Sequence, residues 1–201
     1  MTKLITYIFL ILLIGCSGPT IVLDKDSSGN PIVIRGPQPD FSKLHWLQEK
    51  HGVKTVISFR SIEEGTDNHT TFLWYEFSNA WYSKEKRSIR SLNDPNNQKP
   101  MKLLLIDLDD GTKPPTKKQL DYFYSIIEDK NNWPIYMHCQ GGIHRAGMMS
   151  AIYRMKYQGW KKEKAIWEME SHLYDWSISN RSAVKKFLWF SDFERSPSFR
   201  R

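Results

Sequence analysis

The chain predicts an α/β domain with a small central, mostly parallel sheet and helices on both faces. Three observations predict it. Short apolar runs bounded by turn residues occur at 52–60, 103–108 and 134–138, as in strands buried on both faces. Segments with helical spacing lie at 41–50, from 116 onward and again after 145. A helix between two such strands returns the chain to the same edge of the sheet, so the strands run parallel. Apolar content of 40% and charged content of 25% are ordinary for a globular chain with a sizeable core, and no internal repeat interrupts it.

From the amino end, residues 1–20 read as a targeting segment. Lys3 gives a positive start, and 4–14 is an apolar run too short to span a bilayer. Leu13-Ile14-Gly15-Cys16 matches a bacterial lipobox. The expected organisation is a signal peptide at 1–15, a lipidated Cys16 followed by a polar tether to 31, a domain at 32–195 and a basic tail at 196–201. Ser27, Ser28 and Gly29 give the tether its character. The expected location is that of an exported bacterial lipoprotein, anchored to the membrane on the periplasmic face of the envelope.

The amphipathic segment 41–50 leads into the strand at 52–60. Residues 61–100 follow no clear pattern; Trp74, Trp81 and Tyr82 are read there as packing residues. The run Lys84-Glu85-Lys86-Arg87, with Arg90, reads as a solvated face. The next strand runs into a loop carrying Asp107, Asp109, Asp110, Gly111 and Thr112. Thr116 and Gln119 form a capping-box pattern, and Leu120, Phe123, Tyr124 and Ile127 follow at helical spacing. That helix brings the chain back so that 134–138 can add a parallel strand. A helix follows Arg145, and another ends near Met169, with Trp160 and Trp167 among its core positions.

The chemistry is concentrated in His138-Cys139-Gln140-Gly141-Gly142-Ile143-His144-Arg145. A Gly-rich loop between a strand and a helix turns successive backbone N–H groups inward at a helix N-terminus, where the dipole favours an anion such as phosphate. The same field favours a thiolate at Cys139, and Arg145 adds a planar fork for two phosphate oxygens. The chain has two cysteines. With Cys16 lipidated, Cys139 has no disulfide partner within the chain, which suits a nucleophile that must stay reduced. His138, Cys139 and His144 lack a second pair at ligand spacing, so no metal is expected.

This stretch resembles the signature of the cysteine-dependent protein tyrosine phosphatase superfamily, His-Cys-x-x-Gly-x-x-Arg followed by Ser or Thr, with Ala146 at the hydroxyl position. The resemblance implies a general acid about thirty residues upstream. Asp110 precedes Cys139 by 29 residues, and Asp110-Gly111-Thr112 with Pro114 is similar to the acid loop of the dual-specificity branch; Asp109 is the second candidate. Ile34-Arg35-Gly36-Pro37-Gln38-Pro39 resembles the entry of bacterial, plant and fungal dual-specificity-like phosphatases, and the likeness runs from about Ile32 through the last helix.

The resemblance implies a PTP-like fold and a cysteinyl-phosphate intermediate. Cys139 is then the nucleophile and Asp110 the acid. Arg145 binds phosphate together with Gln140, Gly141, Gly142, Ile143 and His144, and His138 orients the loop. His144 either faces the phosphate or braces the loop. No cofactor is implied. The implied substrates are phosphotyrosine proteins or inositol polyphosphates; plant and fungal relatives end this loop in Lys-His-Arg, where this chain has Ile143-His144-Arg145. Ala146 implies slower breakdown of the intermediate. Two alternatives are a catalytically weak phosphate-binding module and a rhodanese-type sulfurtransferase. A formal charge of +7 favours anionic partners; no recognition motif accompanies it that points to nucleic acid.

Overall fold

The computed structural model describes residues 19–61, 80–93, 100–109, 111–175 and 181–193. In chain order the elements are β1 (Ile21–Lys25), β2 (Pro31–Gly36), α1 (Phe41–His51), β3 (Thr55–Ser58), α2 (Ala80–Leu92), β4 (Lys102–Leu105), α3 (Lys117–Glu128), β5 (Ile135–His138), α4 (Arg145–Gln158), α5 (Lys162–Ser171) and α6 (Arg181–Phe190). The five strands lie in the order β1-β2-β5-β3-β4. Only β1 runs antiparallel; β2, β5, β3 and β4 are parallel. This is the α/β architecture the sequence predicts.

Alternation along β5 separates the two faces. Ile135 and Met137 join Val33 and Ile57 in a core packed by α3 to α6, where Phe123, Ile127, Ala151 and Ile152 are buried. Tyr136 points the other way, joining Ile34 and Val56 against Leu44 and Leu47 of α1 and Ile89 and Leu92 of α2. Strand β5 is central, and Gly36 of β2 and Ser58 of β3 are level with His138. Cys139 therefore leaves the carboxyl edge in the middle of the sheet, where an open parallel sheet places its ligands.

Two expectations are corrected. Residues 21–31 are not a tether but the outer hairpin of the sheet, with Ile21 paired to Arg35 and Val22 to Ile34. The polar residues form its turn: Asp26 Oδ1 accepts from the Ser28 and Asn30 amides at 2.9 and 2.8 Å, and Gly29 takes φ 85°. Turn residues between two short apolar runs are hairpin chemistry as readily as linker chemistry. Tyr153 donates to Asp24 at 2.8 Å and Arg154 to the Leu23 carbonyl at 2.6 Å, binding the hairpin to α4.

Trp167 is 66% exposed rather than core, because α5 turns Ala165, Ile166 and Met169 inward. Trp160 is half-buried between the Arg154 guanidinium and the Lys164 ammonium. The signal peptide, Cys16, Trp74 and the tail from 196 lie outside the described residues.

Candidate active site

The phosphate loop owes its shape to where its carbonyls are tied. A trans peptide holds its C=O and the next N–H antiparallel, so a carbonyl drawn outward turns the following N–H inward. The Cys139 carbonyl accepts from His138 Nδ1 at 3.0 Å. The Gln140 carbonyl accepts from the Gln38 amide at 2.9 Å. The Gly142 carbonyl accepts from Arg35 Nε at 2.9 Å. Three anchors on the outside thus aim the amides of Gln140, Gly141 and Ile143 toward the centre. Gly142 takes φ 71°, and a Cβ there would collide with the backbone of Gly36 and Pro37. Only glycine lets the loop seat against the end of β2.

Helix α4 begins at Arg145. Cys139 and Arg145 are buried, at 3% and 6% exposure. Arg145 Nη1 donates to the Asp109 carbonyl at 2.6 Å, and a Cβ on Gly111 would stand 2.7 Å from Arg145 Cγ. The loop after β4 therefore packs against the arginine of the phosphate loop from both sides of position 110. Asp110 itself lies outside the described residues.

The neighbouring carboxylates have other work. Asp107 accepts from Ser61 Oγ at 2.9 Å and from the Asp109 amide at 2.9 Å, bracing the turn. Asp109 adopts φ 54°, which turns its exposed carboxylate toward Lys113 at 3.3 Å. Gln119 caps α3 through the Thr116 amide and donates to the Asp107 carbonyl, so the capping box also holds the acid loop.

The loop side chains divide. Gln140 is exposed and Gly141 half-buried, whereas Ile143 is buried. His144 packs edge-on against Tyr174, with ring centroids 5.2 Å apart, and its Nε2 is buried without a hydrogen-bond partner. Burial first, then Arg181, hold its pKa down at about 4; Asp175 opposes them, and Arg145 adds a smaller push downward. The His144 ring thus sits against Tyr174 with its charged form disfavoured. Ala146 is fully buried, and its carbonyl accepts from Ser150 Oγ at 2.6 Å. Among the described residues, no group of His, Cys, Asp and Glu could hold a metal ion.

Two residues of the site had no assigned role in the sequence reading. Arg35 is completely buried. Its Nε holds Gly142, and its two terminal nitrogens have no hydrogen-bond partner among the described residues. Burial pulls its pKa below the usual guanidinium range, opposed by Glu168 and then Cys139. Glu85, read as part of a solvated run, is 2% exposed and meets His138 Nε2 at 2.9 Å. The signal for Glu85 was present: buried Glu85, Ile89 and Leu92 form a stripe at helical spacing on α2.

Comparison with known proteins agrees with this geometry. The family model described as "DSP-PTPase phosphatase fused to NAD+ Kinase" matches residues 22–186. The dual specificity protein phosphatase TpbA of Pseudomonas aeruginosa is 46% identical over 37 residues, covering 18% of this chain and 17% of that protein. Inositol diphosphatase DSP5 of Arabidopsis thaliana is 25% identical over 143 residues, covering 70% of this chain and 63% of its own; both matches thus span less than two thirds of the relative. The catalytic core of the PP-IP phosphatase SIW14 from S. cerevisiae, solved with citrate, shares the fold at a TM-score of 0.54 and 16% identity, over 81% of this chain and 82% of that one. Strand order, phosphate loop and family match lead to one conclusion: the chain belongs to the DSP-PTPase family of cysteine-dependent phosphatases.

Proposed function

We propose that this protein is a phosphomonoester hydrolase working through a cysteinyl-phosphate. The observation that carries the reading is the double contact on Arg145: the residue that opens α4 at the mouth of the nest also packs against both neighbours of Asp110. In the first step the Cys139 sulfur bonds to phosphorus as the bond to the leaving oxygen breaks, and Asp110 gives that oxygen a proton. Arg145 and the inward N–H groups hold the equatorial oxygens. In the second step water bonds to phosphorus while Asp110 takes its proton. The S–P bond breaks, phosphate leaves and the thiolate is restored. The engagement of Asp107 in bracing and of Asp109 with Lys113 supports Asp110 over both as the acid.

The substrate that fits best is phosphotyrosine on a protein. Ile143 is buried and the charged form of His144 is disfavoured, so neither adds charge for a second phosphate. The net charge of +7 favours the other reading, an inositol polyphosphate. Phosphate release from a phosphotyrosine peptide and from inositol hexakisphosphate, at low and high salt, separates them, since a polyanion substrate brings steep salt dependence. Release by the wild type that disappears in Cys139→Ser supports the cysteine mechanism. Equal release by both proteins sinks it, and binding of phosphate compounds without release returns the binding-module reading.

The lipobox at 13–16 supports a membrane-anchored form of the protein. Thr20 stands beside Gly36 and bonds to Tyr136, at the carboxyl edge that holds the phosphate loop. Four residues from Cys16 to Thr20 span at most about 14 Å, so a lipid on Cys16 keeps the mouth of the site close to the bilayer surface. Incorporation of an alkyne fatty acid, lost in Cys16→Ala, is the expected result; no incorporation removes the anchor.

A further inference from the structure

The His138–Glu85 pair is buried beneath the phosphate loop, with side chains 0% and 1% exposed. Its neighbours fix all but one proton of the arrangement. A carbonyl oxygen only accepts, so His138 Nδ1, 3.0 Å from the Cys139 carbonyl, carries a hydrogen. At the far end, Arg60 Nη1 only donates, so the Gln38 side-chain oxygen faces Arg60 and accepts from it. The Gln38 amide nitrogen must then face Glu85, donating to Oε2 at 3.2 Å. That oxygen is therefore an acceptor. The remaining oxygen, Oε1, lies 2.9 Å from His138 Nε2. One proton remains between Oε1 and Nε2; placed on Nε2 it makes Glu85 a carboxylate and His138 an imidazolium, with every contact in the chain satisfied.

Helix α2 supplies the rest of the brace. Trp81 and Glu85 are i and i+4 on one face, and the Arg60 guanidinium lies over the Trp81 ring, 4.4 Å from its centroid. Tyr136 stacks on His138 from two residues back along β5, with ring centroids 5.9 Å apart. Among the described residues, the charged and titratable groups facing the pair are Arg60, Tyr136 and Cys139.

We propose that Glu85 is a positioning residue for the nucleophile, holding His138 as an imidazolium whose Nδ1–H fixes the Cys139 carbonyl and whose charge stabilises the thiolate from below. The proposal rests on Cys139 being the reactive group of the phosphatase reading, yet its consequences appear without any substrate. With Glu85 present, the Gln140 amide is aimed into the nest and a positive charge sits one residue from the sulfur. Without the carboxylate, His138 loses its charged partner at Nε2.

The test is Glu85→Gln in the full chain, which keeps the shape and removes the charge. The readout is the rate of Cys139 alkylation by iodoacetamide across pH, beside phosphate release. The expected result is an alkylation midpoint raised by about one pH unit, the low end for loss of a nearby opposite charge. Turnover should fall by about tenfold with little change in KM. A midpoint equal to that of the wild type, with only a lower melting temperature, makes Glu85 structural and overturns the proposal. Should the variant not fold, nitrogen NMR of His138 in the wild type decides: both ring nitrogens protonated at pH 7 supports the imidazolium, and a neutral ring overturns it. If neither phosphate substrate turns over while the alkylation shift appears, the phosphatase reading fails and the Glu85 assignment stands.

Discussion

The phosphate loop and the acid loop meet at Arg145 but are held by different means. The phosphate loop is anchored from below by the buried His138 and Arg35 and by the half-buried Gln38 amide, each taking one of its carbonyls. The acid loop is tied mainly at the surface, through Asp107 to Ser61, Gln119 to Asp107 and Lys113 to an exposed Asp109. It reaches the interior through Leu108, which is buried in the core, and through Arg145, by way of the Asp109 carbonyl and the contact at Gly111. Bonds away from water are not weakened by competition with it, whereas exposed ion pairs contribute about 0–1 kcal/mol. The nest is therefore held by buried groups, and the acid loop combines surface ties with the buried Leu108 and the contact on Arg145.

The largest test of this contrast is Arg145→Lys. Lysine keeps the charge but loses both the fork on phosphate and the Nη1–H on Asp109, so both loops suffer together. Loss of kcat/KM by about 10²–10³ is expected, the scale for removing one such donor; retention of wild-type kcat/KM would break the idea that Arg145 joins the loops. Asp110→Asn comes next. It should lower turnover by about 10²–10⁴ while leaving the iodoacetamide reactivity of Cys139 unchanged, since the nest does not need the acid. Asp109→Asn should leave turnover within a factor of a few; if it is the more damaging of the two, the acid has been assigned to the wrong residue.

Gly111→Ala probes the contact itself. Position 111 has φ 82°, and a methyl group would press on the Arg145 stem. Denaturant unfolding should show a loss of about 1–2 kcal/mol, the cost of a left-handed alanine, with turnover reduced and alkylation little changed. Equal damage to both activities would mean that the loops move as one body.

His144 gives the smallest effect. Its folded pKa, about 4, lies below the ordinary 6.5. The folded state therefore binds fewer protons than the unfolded one between those values, and the neutral ring's contribution is complete above pH 6.5 and declines as pH falls toward 4. Because His144 is only half-buried, the effect is modest. The wild type should lose more stability between pH 7 and pH 5 than His144→Asn does; equal losses would mean that His144 is solvated.

How much was legible in the sequence varies by element for physical reasons. The order of strands and helices around the site was readable, because apolar runs and helical spacing are local patterns; β3, β4, β5, α3 and α4 fall where those patterns stand. The hairpin β1–β2 was misread because Ser27, Ser28 and Gly29 suit a tether and a turn equally, and pairing to Arg35 is a long-range event. Trp167 falls among helical core positions in the sequence, although the face α5 buries belongs to Ala165, Ile166 and Met169.

The sequence by itself determined the chemistry on offer: a cysteine and an arginine bracketing a Gly-rich loop, with an Asp-Gly-Thr loop one strand earlier. These groups act through backbone geometry within a few residues of one another, so their spacing is enough to read them. Only the tertiary structure decided what holds them. Arg35 is far upstream of the loop and Glu85 sits in a run of charges on another helix, yet both end beneath Cys139. Position 38, 60, 85 and 138 come from four segments, and a hydrogen-bond chain across them exists only after the sheet and α2 have packed. Burial, which turns a surface-like glutamate into the partner of a buried histidine, is a property of the assembled fold and not of any stretch of sequence.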